Sequence, residues 1–261
     1  MNKNFLSLVA LCAIIVAVSG CISPTPQTSG TESDCLKKEI YEWRVYTLTK
    51  DSAALDEFFQ NTLIPAYNRL GATAGAFKPF HPEEPAARYL LFVYPDLETF
   101  AKAKKNIWKD ETFTKEAQPF YDSTAPNPLY VDFKSYLCEA FDKIPQMRQP
   151  DRDRTLFEFR RYHSPNEEAN QRKIRMFNKD EIDVFDKTGV NSVCYGEILA
   201  GSEMPAIIYL TWYKDVPAHD EAWKNFVHHD DWKRISKLPE YAYTATRNVS
   251  VWLLPLEYSQ F

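Results

Sequence analysis

Two stretches of the chain alternate apolar and polar residues in the same way: "IYEWRVY" from Ile40 to Tyr46 and "LFEFRRY" from Leu156 to Tyr162. Side chains along a strand point to opposite faces in turn, so Tyr41, Trp43 and Val45 share one face, and Glu42, Arg44 and Tyr46 share the other. In the second stretch Phe157 and Phe159 oppose Glu158, Arg160 and Tyr162. A helical stripe follows the first strand, with Leu55, Phe58, Phe59, Leu63, Tyr67 and Leu70. A poorer stripe follows the second, with Ile174, Phe177, Ile182 and Phe185. Ser164 and Glu167 read as a capping box with Pro165 at the first helical position. Gly71 and Gly189 mark the two helix ends, where a left-handed residue is needed.

The parallel continues. Strands are expected over Ala74 to Phe80 and over Asn191 to Leu199. Next, "RYLLFVYPDLETF" aligns with "IIYLTWYKDVPAH", placing Tyr94 on Tyr213 and Asp96 on Asp215. "KAKKNIWKDETF" then aligns with "HDEAWKNFVHHDDW" as a second helix, and "PLYVDFKSYL" with "TRNVSVWLLP" as a last strand. The order βαββαβ, written twice, is the ferredoxin-like unit. One such unit leaves a face of its sheet bare, and a second copy is the economical cover. The expected fold class is therefore α+β, with two ferredoxin-like repeats forming an intramolecular dimeric α/β barrel. Residues 36–141 and 156–261 are the repeats, joined by a charged linker over 142–155. The aromatic strand faces are expected under the helices. The Glu-Arg-Tyr faces are expected to look into one interior between the sheets.

Composition narrows the function. Hydrophobic residues make up 44% of the chain and aromatics 15%, enough for a core in each half, and the formal net charge of −5 comes without a basic stripe. That balance excludes a nucleic-acid binder that works by neutralising phosphates. The 7 glycines are too few for loop-built nucleotide sites, and no phosphate loop, dinucleotide fingerprint or Ser-His-Asp spacing occurs. No cofactor or metal is implied by the Cys and His spacing. At the N-terminus Lys3 precedes an apolar run from Phe5 to Val18 that closes on "VSGC". The run is short for a membrane span and reads as a targeting segment. It resembles a bacterial lipoprotein signal, which implies removal of residues 1–20, a lipid on Cys21 and a membrane-anchored protein. Residues 21–35 read as a flexible tether. Ile22 after the cysteine implies, by the same resemblance, the outer membrane facing the periplasm.

The chain also resembles a known family. "YEWRVYTL", "LGATAGAF", "YLLFVYPDLETF" and "IIYLTWYKDVPAHDEAWKNFVHHDDWKRI" look like the NIPSNAP domain, a branch of the dimeric α/β barrel superfamily. The resemblance runs from about Ile40 to Trp252. In the first copy Ala103 and Ile107 depart from it, standing where the helix pattern favours larger aromatics. The resemblance implies a fold and no particular reaction.

The ligand-binding candidates are Glu42, Arg44, Tyr46, Glu158, Arg160 and Tyr162. Burying a charge is costly unless it is paired, and the i, i+2 spacing lets each Glu reach its Arg. Two readings stand open: a polar cavity where arginine holds an anionic group, or an ion-pair lattice that binds nothing. "VHHDDW" (Val227 to Trp232) reads as a solvated helix end rather than a metal site, because adjacent helical residues diverge. His163 reads as a surface histidine at a strand end. Cys35 and Cys138 flank neighbouring strands and form a candidate disulfide, while Cys194 reads as a small buried hydrophobe. The expected function is a lipid-anchored envelope protein that binds a small polar or anionic ligand, or a partner protein, without catalysis. The rival is an oxygenase or isomerase, haem-dependent or cofactor-free, in the same cavity. A scaffold with a packed interior is a third reading, and homo-oligomerisation is left open.

Overall fold

The computed structural model describes residues 37–49, 53–81 and 86–261. The lipobox, the tether and Cys35 lie outside the described residues. Eight strands carry the fold: β1 (Ile40–Leu48), β2 (Thr73–Pro79), β3 (Ala87–Tyr94), β4 (Tyr130–Ala140), β5 (Leu156–His163), β6 (Asn191–Gly201), β7 (Ala206–Tyr213) and β8 (Arg247–Pro255). They close into one antiparallel barrel in the order β1-β3-β2-β8-β5-β7-β6-β4, with β4 returning to β1. Each half contributes four consecutive strands. The halves meet at two seams, β2 with β8 and β4 with β6, so closure leaves no sheet face bare. Residues Leu36–Phe261 form one compact unit.

The helices repeat as well. In the first half α1 (Ala53–Phe58) runs through a π-helical turn at Phe59–Leu63 into α2 (Ile64–Arg69). In the second, α5 (Glu167–Met176) runs through a π turn at Phe177–Glu181 into α6 (Ile182–Thr188). Gly71 and Gly189 both adopt positive φ, 92° and 87°, just past these helices. A side chain on either would be strained there. The second helices are α3 (Leu97–Asn106) and α7 (Val216–His228), and α4 (Glu111–Thr124) and α8 (Asp230–Ile235) follow them. Asp96 and Asp215 are their N-caps, accepting bonds from Thr99 N at 2.8 Å and Ala218 N at 2.9 Å, which explains the aligned aspartates. The α5 cap differs from expectation. Asn166 accepts from Ala169 N at 2.9 Å, while Ser164 donates to the Thr244 carbonyl, so the capping box at Ser164 does not form.

The faces of the strands are reversed from the sequence expectation. Tyr41, Trp43, Phe157 and Phe159 point into the barrel, with residues of both halves around them. Trp43 meets Phe159 edge-on at 4.9 Å between ring centres, and Phe77 meets Phe157 at 5.0 Å. This interior is an aromatic core. The Glu-Arg-Tyr faces point outward and are each covered by their own half's helices, making two separate layers rather than one shared interior. The physical reason is donor supply. Helices covering the outer face bring side chains that satisfy a buried carboxylate, whereas the strands facing Tyr41, Trp43, Phe157 and Phe159 across the barrel bring mainly apolar side chains.

Candidate functional site

In the first repeat Glu42 and Arg44 are 2% and 4% exposed. Arg44 grips Glu42 through Nε and one terminal nitrogen, both at 2.9 Å, and the same nitrogen donates to Tyr67 Oη on α2 at 2.7 Å. Tyr94 on β3 donates to the carboxylate at 3.1 Å, Ser135 on β4 at 3.4 Å and Lys104 on α3 at 3.1 Å. Burial pushes the Glu42 carboxyl up, but Arg44 and Lys104 outweigh it and hold the group below the usual carboxylate range. One carboxylate thus faces two cations.

Those cations border a cavity of about 310 Å³ between sheet and helices. Leu55, Phe58, Phe59, Leu63 and Ile107 form apolar walls, and Tyr46, Tyr67, Tyr121 and Tyr130 add phenols. Trp108 and Phe133, both exposed, stand at its mouth. Burial raises the Tyr46 phenol to about 12 despite Arg44 beside it, so Tyr46 is a neutral hydroxyl at pH 7. The size suits a small organic molecule.

The second repeat has the same frame without the room. Arg160 donates to Glu158 at 2.6 Å, and Trp223 Nε1 donates to Glu158 at 2.9 Å, taking the place of Lys104. Phe226 stands for Ile107 and Tyr209 for Leu90. Tyr209 Oη donates to Tyr162 Oη at 2.7 Å. Lys173 and Glu181 replace Leu55 and Leu63 and form a buried pair at 3.0 Å. His219 on α7 lies 3.4 Å from Glu158 and 2.9 Å from Asp220. Burial lowers its affinity for a proton, but these two carboxylates more than offset that and raise it. Of the six candidate residues, Glu42, Arg44 and Tyr46 gather at the cavity layer of the first half, and Glu158, Arg160 and Tyr162 at the filled layer of the second.

Residues 157–260 match the profile of the NIPSNAP family. The second half is a NIPSNAP domain. Among solved structures, a candidate monooxygenase from Fusobacterium nucleatum superposes with a TM-score of 0.57 at 13% identity, over 85% of this chain and 94% of its own. An anthrone oxidase-like protein gives 0.54 at 9% identity, over 84% and 92%. A NIPSNAP-like domain protein from Burkholderia xenovorans covers 41% of this chain and 90% of its own at 17% identity, with a TM-score of 0.37. The first two likenesses are of fold, spanning both repeats. No curated protein matches the chain.

Set beside the NIPSNAP half, the drift noted in the first repeat has a structural meaning. Ala103 has a small counterpart, Ala222, so it is not the departure that matters. Lys104 for Trp223 and Ile107 for Phe226 are the exchanges that open the cavity. Sequence reasoning passed over Lys104, although the aligned Lys105-Asn106 and Lys224-Asn225 place it beside Trp223.

Other candidates resolve differently. His163 is buried, not a surface residue. Its Nε2 accepts from Arg161 Nε at 3.1 Å and from Arg247 at 2.9 Å. Burial and the two guanidiniums hold its pKa below the usual histidine value, so it serves as a neutral acceptor. Arg161 also pairs with Glu203 at 2.7 Å and donates to Tyr136 Oη at 2.7 Å. The cluster is internally satisfied. Cys138 and Cys194 are buried thiols in the barrel core, and the candidate disulfide partner of Cys138, Cys35, lies outside the described residues. His228 ends α7 and His229 caps α8, accepting from Asp231 N at 3.2 Å. Among the described residues no group of three or more His, Cys, Asp or Glu is placed to hold a metal.

Proposed function

We propose that the protein is a membrane-tethered binder of a small organic anion, held in the cavity of the first repeat. The observation that carries this reading is the surplus cation. Lys104 leaves the Glu42–Arg44 pair with one positive charge to spare, beside an apolar cavity that Trp223 and Phe226 close in the other repeat. An anion with a hydrophobic body would neutralise that charge and cover the walls. The tether rests on the lipobox-like "VSGC" and its Cys21, and it sets the protein in the bacterial envelope on the periplasmic side of the outer membrane. Cys21→Ser is expected to move the protein from the membrane fraction to the soluble one.

A second reading, an oxygenase or isomerase in the same cavity, draws on the names of the fold neighbours. It also draws on Tyr46 and Tyr67 beside Arg44, a set that would steady an oxyanion. It lacks a proton acceptor. Glu42 is buried, bonded by four side chains and held below its usual pKa, so it makes a weak base. The cavity suits haem poorly: among the described residues no His, Cys or Met borders it, and burial raises the Tyr46 and Tyr121 phenols to about 12, away from the tyrosinate that haem iron would need. Binding without catalysis therefore stands as the better reading. A thermal-shift panel of organic anions against their neutral skeletons tests it. Anions should raise the melting temperature of the wild type and lose that effect in Lys104→Gln. A panel in which neutral and anionic compounds act alike would refute the reading.

A further inference from the structure

The second repeat fills with its own side chains the room that the first leaves empty, and the filler has a definite chemistry. Aligned through Gly71 and Gly189, Leu55 corresponds to Lys173 and Leu63 to Glu181. Leu55 and Leu63 line the first cavity. Glu181 is buried and accepts from Lys173 Nζ at 3.0 Å. The Lys173 ammonium lies 5.4 Å from the Tyr162 ring centre, and the Arg160 guanidinium lies 5.4 Å from the same ring. A carboxylate thus sits among an arginine, a lysine and a tyrosine in the second repeat. The backbone that presents it, a π turn, is kept in the first repeat with Leu63 in the same place. There the arginine (Arg44), a lysine (Lys104, from a different helix) and the phenols are present, and the carboxylate is missing.

We propose that Glu181 is a built-in stand-in for the ligand's head group: the first cavity takes a monocarboxylate with an apolar body, its carboxylate by Arg44 and Lys104 against the Leu63 wall. This assignment rests on the anion-binding reading and narrows it. Charge favours a monocarboxylate over a phosphate monoester, because the surplus is one positive charge.

The test uses 2-naphthoate and its neutral counterpart 2-naphthamide as probes, titrated calorimetrically into the full chain and into Leu63→Glu. The variant carries its own carboxylate where Glu181 sits in the other repeat. Naphthoate affinity is expected to fall more than tenfold in Leu63→Glu, with naphthamide affinity changed less than threefold. If Leu63→Glu fails to fold, Leu55→Lys/Leu63→Glu transplants the whole pair with its counter-charge and gives the same readout. Loss of both probes together, or naphthoate binding untouched by Leu63→Glu, overturns the assignment. In the latter case naphthoate binding that still depends on Lys104 leaves the anion-binding reading intact. No binding of naphthoate to the wild type overturns both.

Discussion

Arg44→Leu is the perturbation whose outcome follows most directly from the geometry. The substitution removes two 2.9 Å bonds from Glu42, a carboxylate that is 2% exposed, and one 2.7 Å bond to Tyr67. Breaking a buried pair on one side costs about 3–5 kcal/mol, because the remaining charge stays out of water. Lys104 still reaches Glu42 at 3.1 Å, but its side chain is 42% exposed and compensates only in part, which favours the lower end, about 3 kcal/mol. For a unit of this size that lowers the melting temperature by about 6–12 °C. Glu42→Gln/Arg44→Leu leaves no uncompensated buried charge, only the partly exposed Lys104, and should recover most of the loss, since replacing both partners is far cheaper than removing one. Thermal unfolding followed by circular dichroism reads both variants. A single variant within about 1 kcal/mol of wild type, or a double no better than the single, would refute the argument that this pair is held by mutual compensation.

Lys104→Gln separates stability from binding. At its partly exposed site the stability change should stay within about 1 kcal/mol, while loss of the spare charge weakens an organic anion by about 5–30-fold, read by titration. Stability should also depend on pH with opposite signs at Glu42 and at His219. The lowered Glu42 pKa contributes stability that is present above the unfolded value of 4.5 and lost as pH falls through the folded one, so Glu42→Gln flattens the acid limb of a melting profile. The raised His219 pKa contributes stability that is full below 6.5 and lost as pH rises through the folded value, so His219→Phe, which copies Phe100, flattens that limb. Phe159→Ala in the shared barrel core should cost about 3–5 kcal/mol and shift one cooperative transition. Two separate transitions, with only the second repeat weakened, would contradict a core common to both halves.

The repeat, the strand order and the helix ends were legible because they depend on periodicity and on glycine, both written locally. Period-two alternation divides a strand into two faces but does not say which face meets the other sheet. Tyr41 and Trp43 looked like a surface for helices, and only the docked helices reveal Lys104, Tyr67 and Trp223 as partners for the buried carboxylates. The weak stripe of α5 and α6 has the same origin. Lys173 and Glu181 occupy its buried positions as a pair, so a hydrophobic pattern counts them as breaks. His163 was misread because its place at a strand end suggested solvent, whereas Arg161 follows Phe157 and Phe159 on the barrel face and draws the histidine inward. The cavity itself is a difference between aligned residues of the two repeats, clearest at Lys104 and Ile107, where smaller or more flexible side chains stand opposite Trp223 and Phe226.

The most direct measurement is a calorimetric titration of 2-naphthoate into the wild type and into Lys104→Trp/Ile107→Phe, which rebuilds the first repeat's wall in the image of the second. The account predicts one site per chain in the wild type and none in the variant, with both proteins folded. Two sites in the wild type, or binding undiminished once those two residues are exchanged, would contradict it.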